Sequence, residues 1–281
     1  SLEEKKELRQ TSIVPSRSSW FSSMSTREML LTYDPRHGRD LVVQHANLAA
    51  AVLTLYALIV MTLPRHVAKP LHAPIISRAW NGALALFSAA GAAATLPRLA
   101  ALLTDHGLHH TVCADAYSLA GNGPPALFAV LFTYSKLFEL GDTLLLILRR
   151  KPLTLLHVFH HASVVVFVWL AWAYVSPLAL WYGTLNFGVH AIMYAYFVAV
   201  SLGRRAARLA PLVTVLQLGQ FVVATALNGL AAWWWWRGEC AHMRGEMVAI
   251  GGVLYLCYGL LFARYFVLRY LQSPRPKERG D

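Results

Sequence analysis

Seven stretches of about 20 predominantly apolar residues run through this sequence, near residues 42 to 63, 81 to 103, 125 to 148, 154 to 174, 177 to 200, 211 to 236 and 247 to 271. About 20 such residues suffice for a helix to cross the hydrocarbon core, where only backbone that bonds internally is tolerated. The spacing therefore predicts an all-α membrane protein with seven transmembrane helices. The second run is Ala-rich and interrupted by Pro97 and Arg98, which neighbouring helices can accommodate. Residues 1–40 read as a polar N-terminal tail, 41–271 as the helical domain and 272–281 as a basic tail. No stretch ahead of the first run has the pattern of a cleavable signal peptide.

The formal net charge of +11 raises the possibility of a nucleic-acid partner. The distribution of the charge argues against one. Arg65, Lys69 and Arg78 lie between the first two runs, Arg149, Arg150 and Lys151 between the third and fourth, and Arg204, Arg205 and Arg208 between the fifth and sixth. Arg275, Lys277 and Arg279 follow the seventh, whereas residues 104–124 and the short YVSP connection hold no Lys or Arg. Such alternation is the positive-inside signature, which puts the C-terminus in the cytosol and, across seven spans, the N-terminus on the opposite side. Cys113 and Cys240 then fall together on the non-cytosolic side. A disulfide between them is expected, with two free thiols as the alternative, since spacing alone does not decide. The run Trp233 to Trp236 reads as an aromatic anchor at the membrane interface.

Ionisable groups within spans are costly and mark function by default. The third run carries KLFELGDT, with Lys136, Glu139, Asp142 and Thr143, and the fourth carries His157, His160 and His161. In the fifth, Asn186 and His190 are followed by Met193, Tyr194 and Tyr196, and in the sixth Thr214, Gln217 and Gln220 recur at three-residue spacing. Most of these residues count to one depth, in the cytosolic half of the bilayer. Four helices aiming polar faces at one layer imply a chamber open to the cytosol, with apolar outer halves suited to a dry tunnel.

Three imidazoles at i, i+3 and i+4 are a sound start for a metal site. Two irons would need about eight histidines, and His190 is the one other histidine in this layer. A zinc on His157, His161 and Glu139 or Asp142 is a further alternative. Imidazole is also a nucleophile or a base when neighbours fix its tautomer.

KLFELGDT, HVFHH, NFGVHAIMYAYF and TVLQLGQ resemble the KxxExxDT, HxxHH, NxxxHxxMYxYY and TxxQxxQ motifs of the very-long-chain fatty acid elongases, the ELO family. The four stand in family order, and with the seven spans the similarity covers roughly Asp40 to Leu271. Phe197 replaces the last Tyr of the third motif, and Phe159 resembles members acting on saturated and monounsaturated chains.

The resemblance implies a condensing enzyme, a 3-ketoacyl-CoA synthase. It joins acyl-CoA and malonyl-CoA to give 3-ketoacyl-CoA, CO2 and CoA, with no metal or other cofactor, and spans 2 to 7 enclose its substrate tunnel. His160 is expected to attack the thioester, with His157 and His161 held by Glu139 and Asp142, and Asn186 and His190 steadying an enolate. Lys136, Thr143, Tyr194, Tyr196, Gln217 and Gln220 are candidate substrate-binding residues. Arg149, Arg150, Lys151, Arg204 and Arg269 would meet the phosphates of CoA. A ternary complex in which the histidines act as acid and base is the mechanistic alternative. A di-iron desaturase or hydroxylase and a seven-helix receptor or transporter are the functional ones. Expected partners are membrane lipid, a second copy of the chain and the reductases and dehydratase of the elongation cycle, and no nucleic acid. The expected location is the endoplasmic reticulum membrane, and the basic tail resembles a retrieval signal.

Overall fold

The computed structural model describes residues 31–272, apart from the side chain of Arg204. The basic tail beyond it lies outside the described residues. Helix α1 covers Pro35–Gln44, α2 Ala46–His66, α3 Pro74–Cys113, α4 Ala116–Ala120 and α5 Pro124–Leu148. Helix α6 covers Leu155–Ala173, α7 Ala179–Leu202, α8 Ala210–Trp236 and α9 Gly245–Phe266. A 3-10 turn, Arg204–Leu209, leads into α8, and a π turn, Val267–Leu271, extends α9. No strand occurs among the described residues.

Two helices exceed what hydropathy outlined. Helix α1 begins at Pro35, ahead of the first apolar run, with Asp34 Oδ1 accepting from the Arg36 amide at 2.8 Å. Helix α3 continues past residue 103 to Cys113, bending at Gly107, whose φ of +77° suits a residue without Cβ. Apolarity reports how deep a segment lies, and a polar extension such as 104–113 is helical all the same.

Among the described residues, six helical segments are long and apolar enough to cross a membrane: α2, α3, α6, α7, α8 with its 3-10 lead, and α9 with its π turn. The protein is accordingly a multi-pass membrane protein. Helix α5, at 25 residues, has the length for a seventh crossing. Its Lys136, Glu139 and Asp142 dilute its apolar character.

Six helices close on one another in the order α3, α5, α6, α9, α8, α7 and back to α3. Helix α2 packs on α5 and α6 from outside this ring. The α3 and α7 seam is the most extensive, and Gly91 makes it possible: a Cβ there would collide with the Phe187 ring. At Gly141 a Cβ would meet Trp80 at 2.6 Å, so α3 and α5 also approach closely.

The ring surrounds a cavity. All six ring helices line it and α2 does not, while α1 and α4 close the far end with Pro35, Tyr117 and Ala120. Arg98 holds α4 in place, donating to the carbonyls of Leu119 at 3.0 Å and Ser118 at 2.6 Å. At the same end a disulfide joins Cys113, at the end of α3, to Cys240 in the connection between α8 and α9, with Cα atoms 4.7 Å apart. Arg149, Arg150 and Lys151 stand at the opposite, basic end.

Candidate active site

The deepest charges of the protein are paired. Lys136 and Glu139 share one face of α5 at i,i+3, and Nζ lies 2.7 Å from Oε1 with both side chains nearly inaccessible. Nζ also donates to Asn186 Oδ1 at 2.8 Å and sits 4.2 Å from the centre of the Phe132 ring. The three ammonium hydrogens thus have a carboxylate, an amide oxygen and an aromatic face to meet. With its oxygen committed to Lys136, Asn186 turns its NH2 away, and its side chain is on the cavity wall. One helical turn later, His190 Nδ1 lies 3.7 Å from Glu139 Oε2, and neither atom has a closer partner.

Asp142 belongs to a second group. Its Oδ1 accepts from Trp80 Nε1 at 2.6 Å and its Oδ2 from Tyr194 at 2.7 Å. Tyr194 in turn places its ring edge-on to His190, with centroids 5.4 Å apart. Asp142 therefore braces α3 against α7 rather than orienting a box histidine. The sequence-based expectation that Glu139 and Asp142 hold His157 and His161 differs from the geometry. His157 Nε2 bonds Thr143 Oγ1 at 2.9 Å, and Thr143 Oγ1 lies 3.1 Å from the Tyr56 hydroxyl of α2. His161 is buried against the His157 ring at 4.3 Å, with Nδ1 unpartnered. The physical reason is that an aromatic N–H or O–H reaches the carboxylate from a neighbouring helix, and the imidazoles project elsewhere.

His160 is the box histidine that lines the cavity. Its ring is caged by Tyr258 at 4.9 Å, His161 at 5.6 Å, Phe221 at 6.2 Å and Phe262 at 6.4 Å. Aromatic edges fix its orientation, and no hydrogen bond engages either ring nitrogen among the described residues. Tyr258 bonds Ser163, one turn along α6, at 2.7 Å between oxygens. Gln220 lines the same wall, 8% exposed, with Oε1 unpartnered.

The remaining candidates lie further out. Gln217 Nε2 meets Met193 Sδ at 3.1 Å, and Tyr196 is half-buried against Phe197. Phe197 is 41% exposed, so the hydroxyl absent from that position would point out of the ring. Arg149, Lys151 and Arg269 are exposed, and Arg150 Nη1 donates to the Ala68 carbonyl at 2.9 Å. Arg204 stands at the start of the 3-10 turn. Among the described residues, the donors close enough to share one ion are those of His109, Cys113 and Cys240, within 4.8 Å of one another. Both sulfurs there are already bonded to each other. The box histidines and α5 carboxylates do not converge in that way.

Trp80, Tyr56 and Tyr258 join the site without any signal in the sequence motifs. Aromatic and hydroxyl side chains are common in spans, so a search for ionisable groups passes over them.

A helical ring in the membrane, with a caged histidine and an anchored amide on the wall of one cavity, defines a class of polytopic proteins built around an enclosed polar site. Comparison with known proteins narrows the class. Residues 41–278 match the ELO family, described as GNS1/SUR4, and the chain belongs to it. It is 34% identical over 213 residues to very long chain fatty acid elongase 6 of Drosophila melanogaster, an alignment covering 71% of this chain and 64% of that protein's length. It is 33% identical over 234 residues to very long chain fatty acid elongase 4 of Trypanosoma cruzi, covering 81% of this chain and 82% of the relative. For very long chain fatty acid elongase 3 of Homo sapiens the figures are 34% over 202 residues, 72% and 73%.

Proposed function

We propose that this protein is a condensing enzyme of fatty acid elongation, joining acyl-CoA and malonyl-CoA to give 3-ketoacyl-CoA, CO2 and CoA. Family membership supports the elongation step. The observation that carries the chemistry is His160: of the three box histidines it alone is on the cavity wall, and its ring nitrogens are unengaged.

In this reading an imidazole nitrogen of His160 attacks the acyl thioester carbon. The N–C bond forms, the C–S bond breaks, and the departing CoA thiolate takes the proton that the imidazole releases. Malonyl-CoA then loses CO2, and the electron pair of the broken bond forms an enolate steadied by the Asn186 amide and His190. The enolate carbon attacks the acyl-imidazole carbon, the new C–C bond forms, the N–C bond breaks, and the departing imidazole nitrogen takes up one proton from solvent to regenerate His160. Caging by aromatic edges suits a nucleophile, since it fixes direction while leaving the lone pair free.

The cavity serves as the acyl tunnel, and its basic end faces the cytosol, where Arg149, Arg150, Lys151, Arg204 and Arg269 meet CoA phosphates. Helix α5 makes the seventh crossing, with its charges turned into the ring. The disulfide end is then lumenal, and an oxidising lumen suits Cys113 and Cys240. In this reading the protein works in the endoplasmic reticulum membrane, beside the reductases and dehydratase that complete the cycle.

Purified protein with labelled acyl-CoA and malonyl-CoA should yield a product two carbons longer. With acyl-CoA alone, wild type should release free CoA and His160→Ala should not. Release that waits for malonyl-CoA would leave the histidines as acid and base in a ternary complex.

A further inference from the structure

Condensation puts negative charge on two oxygens, that of the enolate and that of the acyl carbonyl under attack. The amide of Asn186, held by Lys136, serves the first. No donor is yet assigned to the second, and the wall around His160 supplies one.

Tyr258 lies on α9, a ring helix that, like α3, holds no motif residue. Its ring centroid is 4.9 Å from that of His160, the nearest of the aromatic cage, and both residues line the cavity. Ser163 Oγ has a single hydrogen, and the Phe159 carbonyl lies 2.5 Å away to receive it. The 2.7 Å contact between Ser163 and Tyr258 is then made by the hydrogen of Tyr258. That hydroxyl is a donor directed at the face of α6 shared by residues 160 and 163, one turn apart. Ser163 is a neutral acceptor, and an oxygen acquiring negative charge is a stronger one. Of the other hydroxyls on the wall, that of Tyr182 donates to Asn228 Oδ1 at 3.1 Å and that of Thr133 to the Ala129 carbonyl at 3.2 Å, whereas the unpartnered Thr184 Oγ1 belongs to α7, the helix of Asn186.

We infer that Tyr258 is a further catalytic residue, whose hydroxyl leaves Ser163 and donates a hydrogen bond to the acyl carbonyl oxygen beside His160 as that oxygen becomes anionic. The assignment rests on the proposed condensation and holds for either route, because thioester attack by imidazole and attack by enolate both charge the same oxygen. No proton is transferred by Tyr258, which stays a donor throughout.

Tyr258→Phe keeps the aromatic edge against His160 and removes the hydroxyl. Loss of one such donor lowers kcat by about 10²–10³-fold, with KM for acyl-CoA little changed. Ser163→Ala removes the resting partner and leaves the donor, so its kcat should stay close to wild type. Thermal unfolding of both variants in detergent reports whether the fold is intact. A Tyr258→Phe protein that extends acyl-CoA at the wild-type rate overturns the assignment alone. Equal losses in Tyr258→Phe and Ser163→Ala, tracking a common drop in unfolding temperature, also overturn it, since they assign the pair to holding α6 against α9. Wild-type protein that extends no acyl-CoA overturns the condensation reading, and this assignment with it.

Discussion

Lys136 fixes the orientation of Asn186: the ammonium donates to Oδ1 at 2.8 Å, and the amide hydrogens are left for the cavity. A lysine that is 2% exposed thereby orients a residue of the cavity wall. Lys136→Met should abolish elongation and also strand Glu139 as a buried unpaired charge, which costs about 3–5 kcal/mol. Adding Glu139→Gln should recover most of the unfolding temperature and little of the activity. Recovery of both together would show the pair to be structural.

Asp142 ties α3 to α7 through Trp80 and Tyr194. Tyr194→Phe removes a hydrogen bond to a charged acceptor, worth about 1.5–3 kcal/mol. Asp142→Ala, which leaves both aromatic donors unpartnered, should be more destabilising than either single aromatic exchange. Unfolding temperatures of the purified variants in one detergent check the ranking, and an Asp142→Ala protein as stable as wild type would contradict it.

On the proposed condensation, the cavity sets an upper length for the acyl group. Between His160 and Trp172, both on its wall, α6 rises about 18 Å. An extended chain advances about 1.2 Å per bond, so with the further wall at Val175, Ser176 and Pro177 there is room for roughly 15 to 20 carbons. Ala120→Phe, at the closed end, should shorten the longest product by about two to four carbons while leaving shorter substrates unaffected. Product profiles by gas chromatography across an acyl-CoA series measure this, and an unchanged upper limit would remove α4 from the tunnel end.

Cys113 and Cys240 are 127 residues apart in sequence. Loop-closure entropy gives a ceiling of about 5 kcal/mol for such a crosslink. The membrane already restricts the unfolded chain, so the gain is smaller. The double exchange to Ser should lower the unfolding temperature and leave kcat near that of wild type at low temperature, because the bond is at the far end from His160. A loss of kcat without loss of stability would connect the disulfide to catalysis.

The sequence made the apolar spans legible because hydropathy is summed over 20 residues and local exceptions average out. Two of the four motif faces join directly, since Lys136, Glu139, Asn186 and His190 form one network, and the other two meet them through His160 and Gln220, which share the cavity wall with Asn186. Partner identity was less legible. Expecting carboxylates to hold imidazoles overlooked Trp80 and Tyr194, which satisfy Asp142 from two other helices. Tyr56 and Tyr258 were silent for a related reason, since a tyrosine in an apolar helix looks like packing until a tertiary neighbour reveals its hydroxyl. The kink at Gly107 and the helix beginning at Pro35 lie in polar sequence, where hydropathy is uninformative.

Helix α2 has no residue on the cavity wall, yet its Tyr56 reaches Thr143, the partner of His157. Containment and adjustment are thus divided between different parts of the chain. Six helices make the vessel, and the helix preceding them leans on it from outside, one hydroxyl deep. A change in how α2 seats against α5 and α6 would reach the first histidine of the box without altering the shape of the cavity.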